Sequence, residues 1–357
     1  MNDHSAALQQ QVMDAVQNAS PLNITGGGSK HFLGHAREGQ DIDVGRHRGI
    51  VEYDPRELVL TARSGTTLQE IEAALADAGQ MLAFEPPHFG DGATLGGTIA
   101  CGLSGPRRPF LGSARDFVLG CKLLNGRGEI LGFGGQVMKN VAGYDVSRLM
   151  TGAHGTLGIL LEISLKVLPR PAASITVARE CSPEEAIAGM SALLCKPLPV
   201  DGACYHGDRC YMRISGSEQA VKEARTRIPG DVLPDAEKFW LALREHRLPF
   251  FHHSSHSEEA ALYRIMVKPA TPPLHIGGAW LLDWNGAQRW LYSDEDCDSI
   301  RRRVKQAGGH VTVFRGGDHA KQIFQPLPAP MLAIHQRLKA GFDPADIFNR
   351  GRMYRDL

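Results

Sequence analysis

The amino-acid sequence predicts an α+β fold with two domains and a C-terminal tail. Its 357 residues exceed the size of one typical core. A short strand, a glycine run, further strands and a capped helix follow one another, and this order differs from a regular βαβ alternation. Glycine is unevenly distributed, with 17 in residues 90–158 against 12 in the longer span 171–330. We therefore expect a glycine-rich domain at 1–170, a smaller α+β domain at 171–325, and a helix and tail at 326–357.

The first domain is predicted to begin with an amphipathic helix over residues 6–19. A short strand at 22–25 runs directly into Gly26, Gly27 and Gly28. Three glycines after a strand can turn consecutive backbone N–H groups toward one point, which makes an anion-binding nest. A tight or flexible turn is an equally good interpretation of this run on its own. The sequence here matches neither a P-loop nor a G-x-G-x-x-G motif.

Further strands are predicted at 42–44 and 57–62, and a helix follows them. Thr67 and Glu70 fit a capping box at the start of this helix, and Gly79 fits its C-terminal end. These three residues are typical of a helix whose two ends are specified locally.

The second half of the first domain reads as a β-hairpin, a short helix and a strand. Segments 117–124 and 129–131 flank the turn Asn125-Gly126, which favours a hairpin. Asp145 is a candidate N-cap for the short helix that follows it. Residues 161–167 alternate between apolar and polar, which predicts a strand with one buried face.

The second domain is predicted to begin near Pro169-Arg170-Pro171. A helix is expected at 183–195 and a strand at 210–214. The aromatic side chains of this domain that we expect in its core are Trp280, Trp284 and Trp290.

The C-terminal segment is predicted to be a helix that leads into a cationic tail. Met331, Ile334 and Leu338 have helical spacing, and Gly341 is a candidate for the residue that ends the helix. The tail that follows is rich in turn-forming residues.

Composition excludes several classes of protein. Lys and Arg together number 39 and so do Asp and Glu, which removes the usual electrostatic signature of a nucleic-acid-binding protein. We find no secretory signal and no apolar run that could span a bilayer, so we expect a cytoplasmic protein. The seven cysteines never have C-x-x-C spacing, so we expect no iron–sulfur cluster held by this chain alone. His252, His253 and His256 have no metal-ligand spacing, and we predict no metal site.

Two further stretches could approach a large ligand. Thr94, Gly96 and Gly97 lie in the run 93–100, where adjacent glycines would bring backbone amides and a hydroxyl close to it. Together with the first glycine run, this favours a bound dinucleotide. The rigid basic turn 106–109 could face a phosphate or an acidic partner, or could be a solvated loop.

Four blocks of the sequence together resemble a known family. They are 26–30, 93–100, 139–145 with 152–159, and 343–352. In this order they resemble the PCMH-type FAD-binding fold that the vanillyl-alcohol oxidase group shares with D-2-hydroxyacid dehydrogenases. The runs that are similar, more narrowly, to the smaller FAD-binding subunit of bacterial glycolate oxidases (glycolate dehydrogenases) are 47–51, 102–109, 137–145 and 248–251.

The resemblance implies a groove for FAD and the residues that line it. The residues implied along the pyrophosphate are Gly26, Gly27, Gly28 and Ser29. The residues implied along the pyrophosphate and flavin side are Thr94, Gly96 and Gly97. The residues implied to complete the groove are Gly155, Gly158 and Ile159, with Asn349 and Arg352 near the flavin. Ser29 stands where some relatives carry a histidine that binds flavin covalently, so we expect non-covalent FAD. The usual Asn-Pro-Gly of the tail reads Asn349-Arg350-Gly351 here.

The resemblance also implies a function. We expect an FAD-binding subunit of a glycolate dehydrogenase complex that oxidises glycolate, or another small 2-hydroxy acid such as D-lactate. Its expected partners are a second FAD-binding subunit and an iron–sulfur subunit, and any membrane contact is expected through them. Asn140 and Tyr144 are candidates for a catalytic role, although both could instead serve the start of a helix.

Two other functions remain open from the sequence. One is a self-sufficient FAD-dependent dehydrogenase of another small hydroxy acid. The other is a structural or assembly subunit whose FAD is vestigial. A late His-x-His cluster, which full-length D-2-hydroxyacid dehydrogenases carry, is absent from residues 171–330, and this favours a subunit of a larger enzyme.

Overall fold

The structure is a computed structural model of the chain, and it describes residues 3–36, 38–135, 144–318 and 321–357. The chain forms two units. Unit 1 contains Met1–Ser104, Gly112–Pro169 and Pro326–Leu357, and unit 2 contains Gly105–Leu111 and Arg170–Gln325. The C-terminal segment therefore belongs to the same unit as the N-terminal half.

Helices and strands are numbered separately in chain order. The helices are α1 (Ser5–Gln17), α2 (Leu68–Asp77), α3 (Leu95–Cys101), α4 (Arg108–Leu111), α5 (Ala114–Phe117), α6 (Val146–Met150), α7 (Pro183–Leu194), α8 (Glu218–Arg227), α9 (Ala236–Arg244), α10 (Cys297–Gln306) and α11 (Ala329–Phe342). The strands of unit 1 are β1 (Leu22–Thr25), β2 (Gln40–Asp43), β3 (Ile50–Asp54), β4 (Val59–Arg63), β5 (Gln80–Met81), β6 (Val118–Leu124), β7 (Ile130–Gly134), β8 (Ile159–Lys166) and β9 (Leu168–Pro169). Those of unit 2 are β10 (Ala173–Glu180), β11 (Val200–His206), β12 (Arg209–Gly216), β13 (Asp231–Val232), β14 (Ala261–Met266), β15 (Ala279–Asp283), β16 (Gln288–Ser293) and β17 (His310–Arg315).

Unit 1 is built on a five-stranded antiparallel sheet with the order β3-β4-β8-β6-β7. The predicted hairpin is confirmed as β6 and β7, in which Leu124 pairs with Ile130. At the start of α2, Thr67 accepts a hydrogen bond from the Glu70 amide, which is one of the two bonds of a capping box. Buried apolar residues of α2, α3 and the sheet form one core cluster. This core fixes α3 against β4 and β8.

A second cluster of unit 1 joins the two ends of the chain. Strand β1 lies parallel to β2, and Leu22 of β1 forms a further bridge to Phe348 of the tail. Leu8 and Val12 of α1 are buried in the same apolar cluster as Leu22 and Phe348. The tail is therefore packed beside the strand that leads into the glycine run.

Unit 2 is built on an eight-stranded sheet with the order β13-β10-β12-β11-β15-β16-β14-β17. As predicted, Trp284 and Trp290 are buried, and Trp280 packs half-buried against one of the unit's clusters. The basic turn 106–109 belongs to this unit because Arg107 forms an ion pair with Asp201, with 2.7 Å between Nε and Oδ2.

The structure differs from the predicted helices at Gly341 and at α3, and it agrees with them at Asp145. Gly341 does not end α11, which continues to Phe342 and is capped at Asp343, because the Asp343 amide still bonds to the Lys339 carbonyl. Helix α3 was not predicted, since two of its seven residues are glycines, which disfavour helices. The predicted N-cap at Asp145 is confirmed: its side chain accepts a hydrogen bond from the Arg148 amide.

Candidate functional site

A cleft in unit 1 brings together all of the residues that the sequence assigned to a cofactor groove. It contains about 890 Å³ of space, counted out into the solvent at its mouth. The predicted residues that line it are Gly26, Gly27, Gly28, Ser29, Thr94, Gly96, Gly97, Gly155, Gly158, Ile159, Asn349 and Arg352. Segments far apart in the sequence thus meet at one site.

The first wall of the cleft is the glycine run that follows β1. A side chain at Gly27 would be impossible, because its Cβ would lie 1.3 Å from the carbonyl oxygen of Gly92. Gly28 has a φ of +73°, in the left-handed region that favours glycine. Within the described part of the chain, the amides of Gly27, Gly28 and Ser29 donate no hydrogen bond. Three consecutive unbonded amides at a cleft can bind an anion.

The second wall is the start of α3. Thr94 caps this helix by accepting a hydrogen bond from the Gly97 amide at 3.3 Å, and the Gly96 amide donates to the Ser64 carbonyl at 2.7 Å. A Cβ at Gly96 would lie 2.6 Å from the Cβ of Ser64. Both glycine amides are therefore already bonded, and Gly96 lets the start of α3 pack directly against Ser64.

Ser64 is a site residue that the sequence reasoning missed. It is buried at 1% exposure and lines the cleft, and among the described residues its Oγ has no hydrogen-bond partner. A buried hydroxyl without a partner is costly unless a ligand or water bonds to it. The signal in the sequence was Ser64-Gly65, a second glycine turn directly after a strand.

The third wall is the loop between α6 and β8. Gly155 has a φ of +70°, and a Cβ there would lie 2.7 Å from Nδ2 of Asn349. Gly158 has a φ of +154°, and a Cβ there would lie 2.8 Å from the Leu124 carbonyl oxygen. Glycine is therefore required at both positions by backbone conformation and by space.

The tail closes the cleft through Asn349 and Arg352. The Oδ1 of Asn349 accepts from the Ile24 amide at 2.8 Å, and its Nδ2 donates to the His154 carbonyl at 2.7 Å. Arg352 donates to the carbonyls of His35 and His31. Asn349 thus joins β1 to the third wall. The tail turn forms in spite of the Asn-Arg-Gly sequence, since the Arg352 amide bonds to the Asn349 carbonyl at 3.1 Å.

A buried ion pair holds the tail in this position. Nζ of Lys339 donates to Oδ2 of Asp343 at 2.7 Å, to the Phe348 carbonyl at 2.8 Å and to the Thr156 carbonyl at 2.9 Å. The Asp343 carboxylate also accepts from the amides of Ile347 and Phe348. This network connects the end of α11, the tail and the third wall.

Two titratable groups of the cleft, His154 and Cys101, are neutral near pH 7. Burial, with a smaller contribution from Arg352, lowers the pKa of His154 to about 4. Burial raises the pKa of the Cys101 thiol, against the opposing effect of Lys30 and Arg352. The cationic side chains that line the cleft are Lys30 and Arg352. The cleft therefore favours a ligand that carries negative charge.

Tyr144, one of the two candidates for catalysis, does not line this cleft. Asn140 is outside the described residues, and Tyr144 is 95% exposed. Nε2 of His256 donates to the Phe250 carbonyl at 2.7 Å, and the His256 ring stacks on Tyr292. Within the described residues, no group of three or more His, Cys, Asp or Glu side chains could hold a metal ion. Nor does the described part contain a helix long and apolar enough to cross a membrane.

Comparison with known proteins identifies the family. The FAD binding domain family matches residues 3–134. The chain is 51% identical over 355 residues to glycolate oxidase subunit GlcE of Escherichia coli, which covers 99% of both chains. The chain belongs to the GlcE family. The predicted resemblance, the FAD cofactor and the PCMH-type fold are thereby confirmed.

More distant relatives match a smaller share of the GlcE-family chain. Glycolate oxidase subunit GlcD of Bacillus subtilis is 34% identical over 122 residues, which is 34% of this chain and 26% of GlcD. D-lactate dehydrogenase of Anaerostipes hadrus is 34% identical over 137 residues, which is 38% of this chain and 28% of that protein. Two solved structures of alkyldihydroxyacetonephosphate synthase, 15% and 17% identical, cover 98% of this chain and 75% and 74% of their own, with TM-scores of 0.67 and 0.69. These structures support the fold alone.

The residues of the cleft fit FAD. A pyrophosphate needs hydrogen-bond donors, and the unbonded amides of Gly27, Gly28 and Ser29 supply them. The Ser64 hydroxyl can bond to a further polar group of the cofactor. Gly27 and Gly96 leave no room for a Cβ, so the first two walls are built from closely packed backbone beside the cleft.

Proposed function

We propose that this GlcE-family chain is the FAD-bearing subunit of a glycolate dehydrogenase complex, which oxidises glycolate to glyoxylate. The observation that carries the proposal is the cleft of unit 1. Among the described residues, it offers three amides and a buried hydroxyl without hydrogen-bond partners, in a chain that is 51% identical to a glycolate oxidase subunit. D-lactate is a further candidate substrate, because D-lactate dehydrogenases are among the relatives.

The cleft residues would hold FAD without a covalent bond. Gly27, Gly28 and Ser29 would donate to the pyrophosphate, and Ser64 would bond to a polar group of the cofactor. Asn349 would keep β1 and the third wall at the spacing that the cofactor needs. When bound, FAD supplies the acceptor for the hydride that leaves the hydroxy acid. His154 stays neutral at pH 7, so it adds no charge beside the cofactor.

The division of the chain supports a matching division of roles. We assign residues 1–170 and 326–357 to the FAD domain and 171–325 to a cap-like domain, in which the segment 105–111 takes part. Asn140 and Tyr144 stay candidates for a catalytic role. Replacing each of them by Ala and measuring glycolate turnover by the assembled complex tests this role.

We further propose two partners. One is a second FAD-binding subunit, for which the GlcD relative is the precedent, and the other is an iron–sulfur subunit that carries electrons onward. In this arrangement the protein is cytoplasmic and reaches the inner face of the membrane through the complex. The seven scattered cysteines suit this division, since a cluster would need cysteines from another chain.

Anaerobic reduction of the flavin by glycolate tests the proposal. The purified chain should carry FAD, and its flavin should bleach at least about tenfold more slowly alone than in the assembled complex. Bleaching of the isolated chain at the rate of the complex would instead indicate a self-sufficient dehydrogenase. A stable, colourless chain that still supports assembly of the complex would indicate a structural subunit.

A further inference from the structure

The strongest unexplained feature of unit 2 is a tryptophan with two arginines on its ring. Trp284 is buried, and its indole N–H donates to the Gly105 carbonyl at 2.9 Å. The Cζ of Arg108 lies 4.3 Å and that of Arg264 lies 5.0 Å from the centre of a Trp284 ring. Each cation is attracted to the indole, but the two like charges repel one another.

Arg264 has N–H donors that the described residues do not use. It lies on β14 and is half-buried, and its Nε donates to Oε1 of Gln288 at 2.6 Å. Across the described ranges, its two Nη groups donate no hydrogen bond and the side chain forms no ion pair. A guanidinium presents its donors as a rigid, planar fork that matches a carboxylate in two parallel bonds.

The acid whose charge acts on Arg264 already accepts hydrogen bonds from other groups. Asp283 accepts from the Trp284 amide at 2.7 Å and from Nε2 of Gln288 at 3.2 Å. Burial and the charge of Arg108 lower the pKa of Arg264 to about 10, although Asp283 opposes this. Two guanidinium groups therefore share one indole in a partly desolvated place, and an added anion would offset their mutual repulsion.

We propose that Arg264, with Arg108 and Trp284, forms a binding site in unit 2 for the carboxylate of a small organic acid. Arg264 binds the carboxylate through its Nη fork, and Arg108 supplies the second positive charge. The choice of a small hydroxy or oxo acid as the ligand rests on the proposed function. The site itself rests on the three side chains.

Calorimetric titration of the full, FAD-loaded chain tests this site. The probes are glycolate, acetate and inorganic phosphate in a buffer without competing anions. Both carboxylates should bind to the native chain. Arg264→Gln should weaken this binding about 10- to 100-fold, the loss expected for a charged hydrogen-bonding group. Arg264→Lys should restore only part of it, because an ammonium cannot form the two parallel bonds.

The matched control is Arg302→Gln, which removes the same charge from an exposed position on α10 of the same unit. It should bind both carboxylates as the native chain does. If Arg264→Gln fails to fold by circular dichroism, Arg108→Gln takes its place, with the same expected loss. A rise in melting temperature on adding acetate should appear in the native chain and be absent in the Arg264 variant, a difference that a purely structural arginine would not produce.

Three results would overturn the proposal: equal binding by the native chain and the Arg264 variant, no carboxylate binding at all, or binding of phosphate alone. Visible flavin absorbance is recorded in the same samples. If the Arg264 variant loses carboxylate binding but keeps its flavin, the result bears on the site in unit 2 and not on FAD binding. A chain without flavin that still binds acetate through Arg264 would contradict the proposed function and leave this site in place.

Discussion

Replacing Lys339 by methionine should destabilise unit 1 and weaken its hold on FAD. Methionine keeps the length of the side chain but removes the ammonium that bonds to Asp343 and to two backbone carbonyls. Asp343, at 1% exposure, would then be a buried carboxylate without its cation. Breaking a buried pair in this way costs about 3–5 kcal/mol. We expect the lower end, about 3 kcal/mol, because the amides of Ile347 and Phe348 still bond to the carboxylate.

The positions of the tryptophans allow the unfolding of the two units to be followed separately. All four tryptophans, at positions 240, 280, 284 and 290, lie in unit 2. In urea unfolding, the Lys339→Met variant should therefore lose the flavin signal of unit 1 at a lower urea concentration than the native chain does. The tryptophan transition of unit 2 should occur at the same urea concentration in both. The control Arg337→Met changes an exposed cation on the same helix and should shift neither signal.

A double variant separates the pair from the helix. Adding Asp343→Asn to Lys339→Met removes the stranded charge and should recover part of the lost free energy of unfolding. A loss below about 1 kcal/mol in the single variant, or an equal loss in Arg337→Met, would refute the buried-pair reasoning.

Three further changes test the cleft and the helix. Gly27→Ala should abolish FAD retention, because its Cβ would collide with the Gly92 carbonyl. Gly341→Ala should raise the free energy of unfolding by about 0.5–1 kcal/mol, since it lies inside α11 with open space around its Cβ. His154 is neutral in the fold and has a pKa of about 4 against 6.5 when unfolded, so the unfolded state binds more protons between these values. Stability should fall by up to about 3 kcal/mol from pH 6.5 to pH 4, and His154→Asn should flatten this slope.

The outcomes that would count against these predictions are distinct. Normal flavin content in Gly27→Ala would mean that the first wall can move away from Gly92. A lower melting temperature in Gly341→Ala would show that the helix ends earlier than Phe342. If the stability of His154→Asn falls as steeply between pH 6.5 and pH 4 as that of the native chain, the loss would come from other buried histidines. His246 is the first of these to test, since burial holds its pKa well below the usual range.

The sequence predicted the fold class and the segments that line the cleft, but it did not predict the contacts that hold those segments in place. Glycine runs are visible in a sequence because few residues replace glycine where φ is positive or a backbone approaches closely, as at Gly27 and Gly155. For Ser64 the signal was the glycine that follows it, and Lys339 gave no signal. A serine that follows a strand and a lysine on a helix are ordinary, and their burial depends on contacts with residues far along the chain.

Helix α11 illustrates the same limit. The spacing of Met331, Ile334 and Leu338 suggested an apolar face, yet Met331 and Ile334 are 44% and 41% exposed, and Lys339 is the buried residue of the helix. Periodicity identifies a helix, whereas tertiary contacts decide which face is covered. In this helix an ion pair with the tail decides it.

The link between Ile24 and Asn349 has a consequence for how the protein is made. The two residues are 325 positions apart, and the walls of the cleft are joined through them. A ribosome that is still translating has not yet released the segment that closes the cleft, although the glycine run emerged long before. We therefore expect stable cofactor binding only after the segment that carries Asn349 has been synthesised and has packed beside β1.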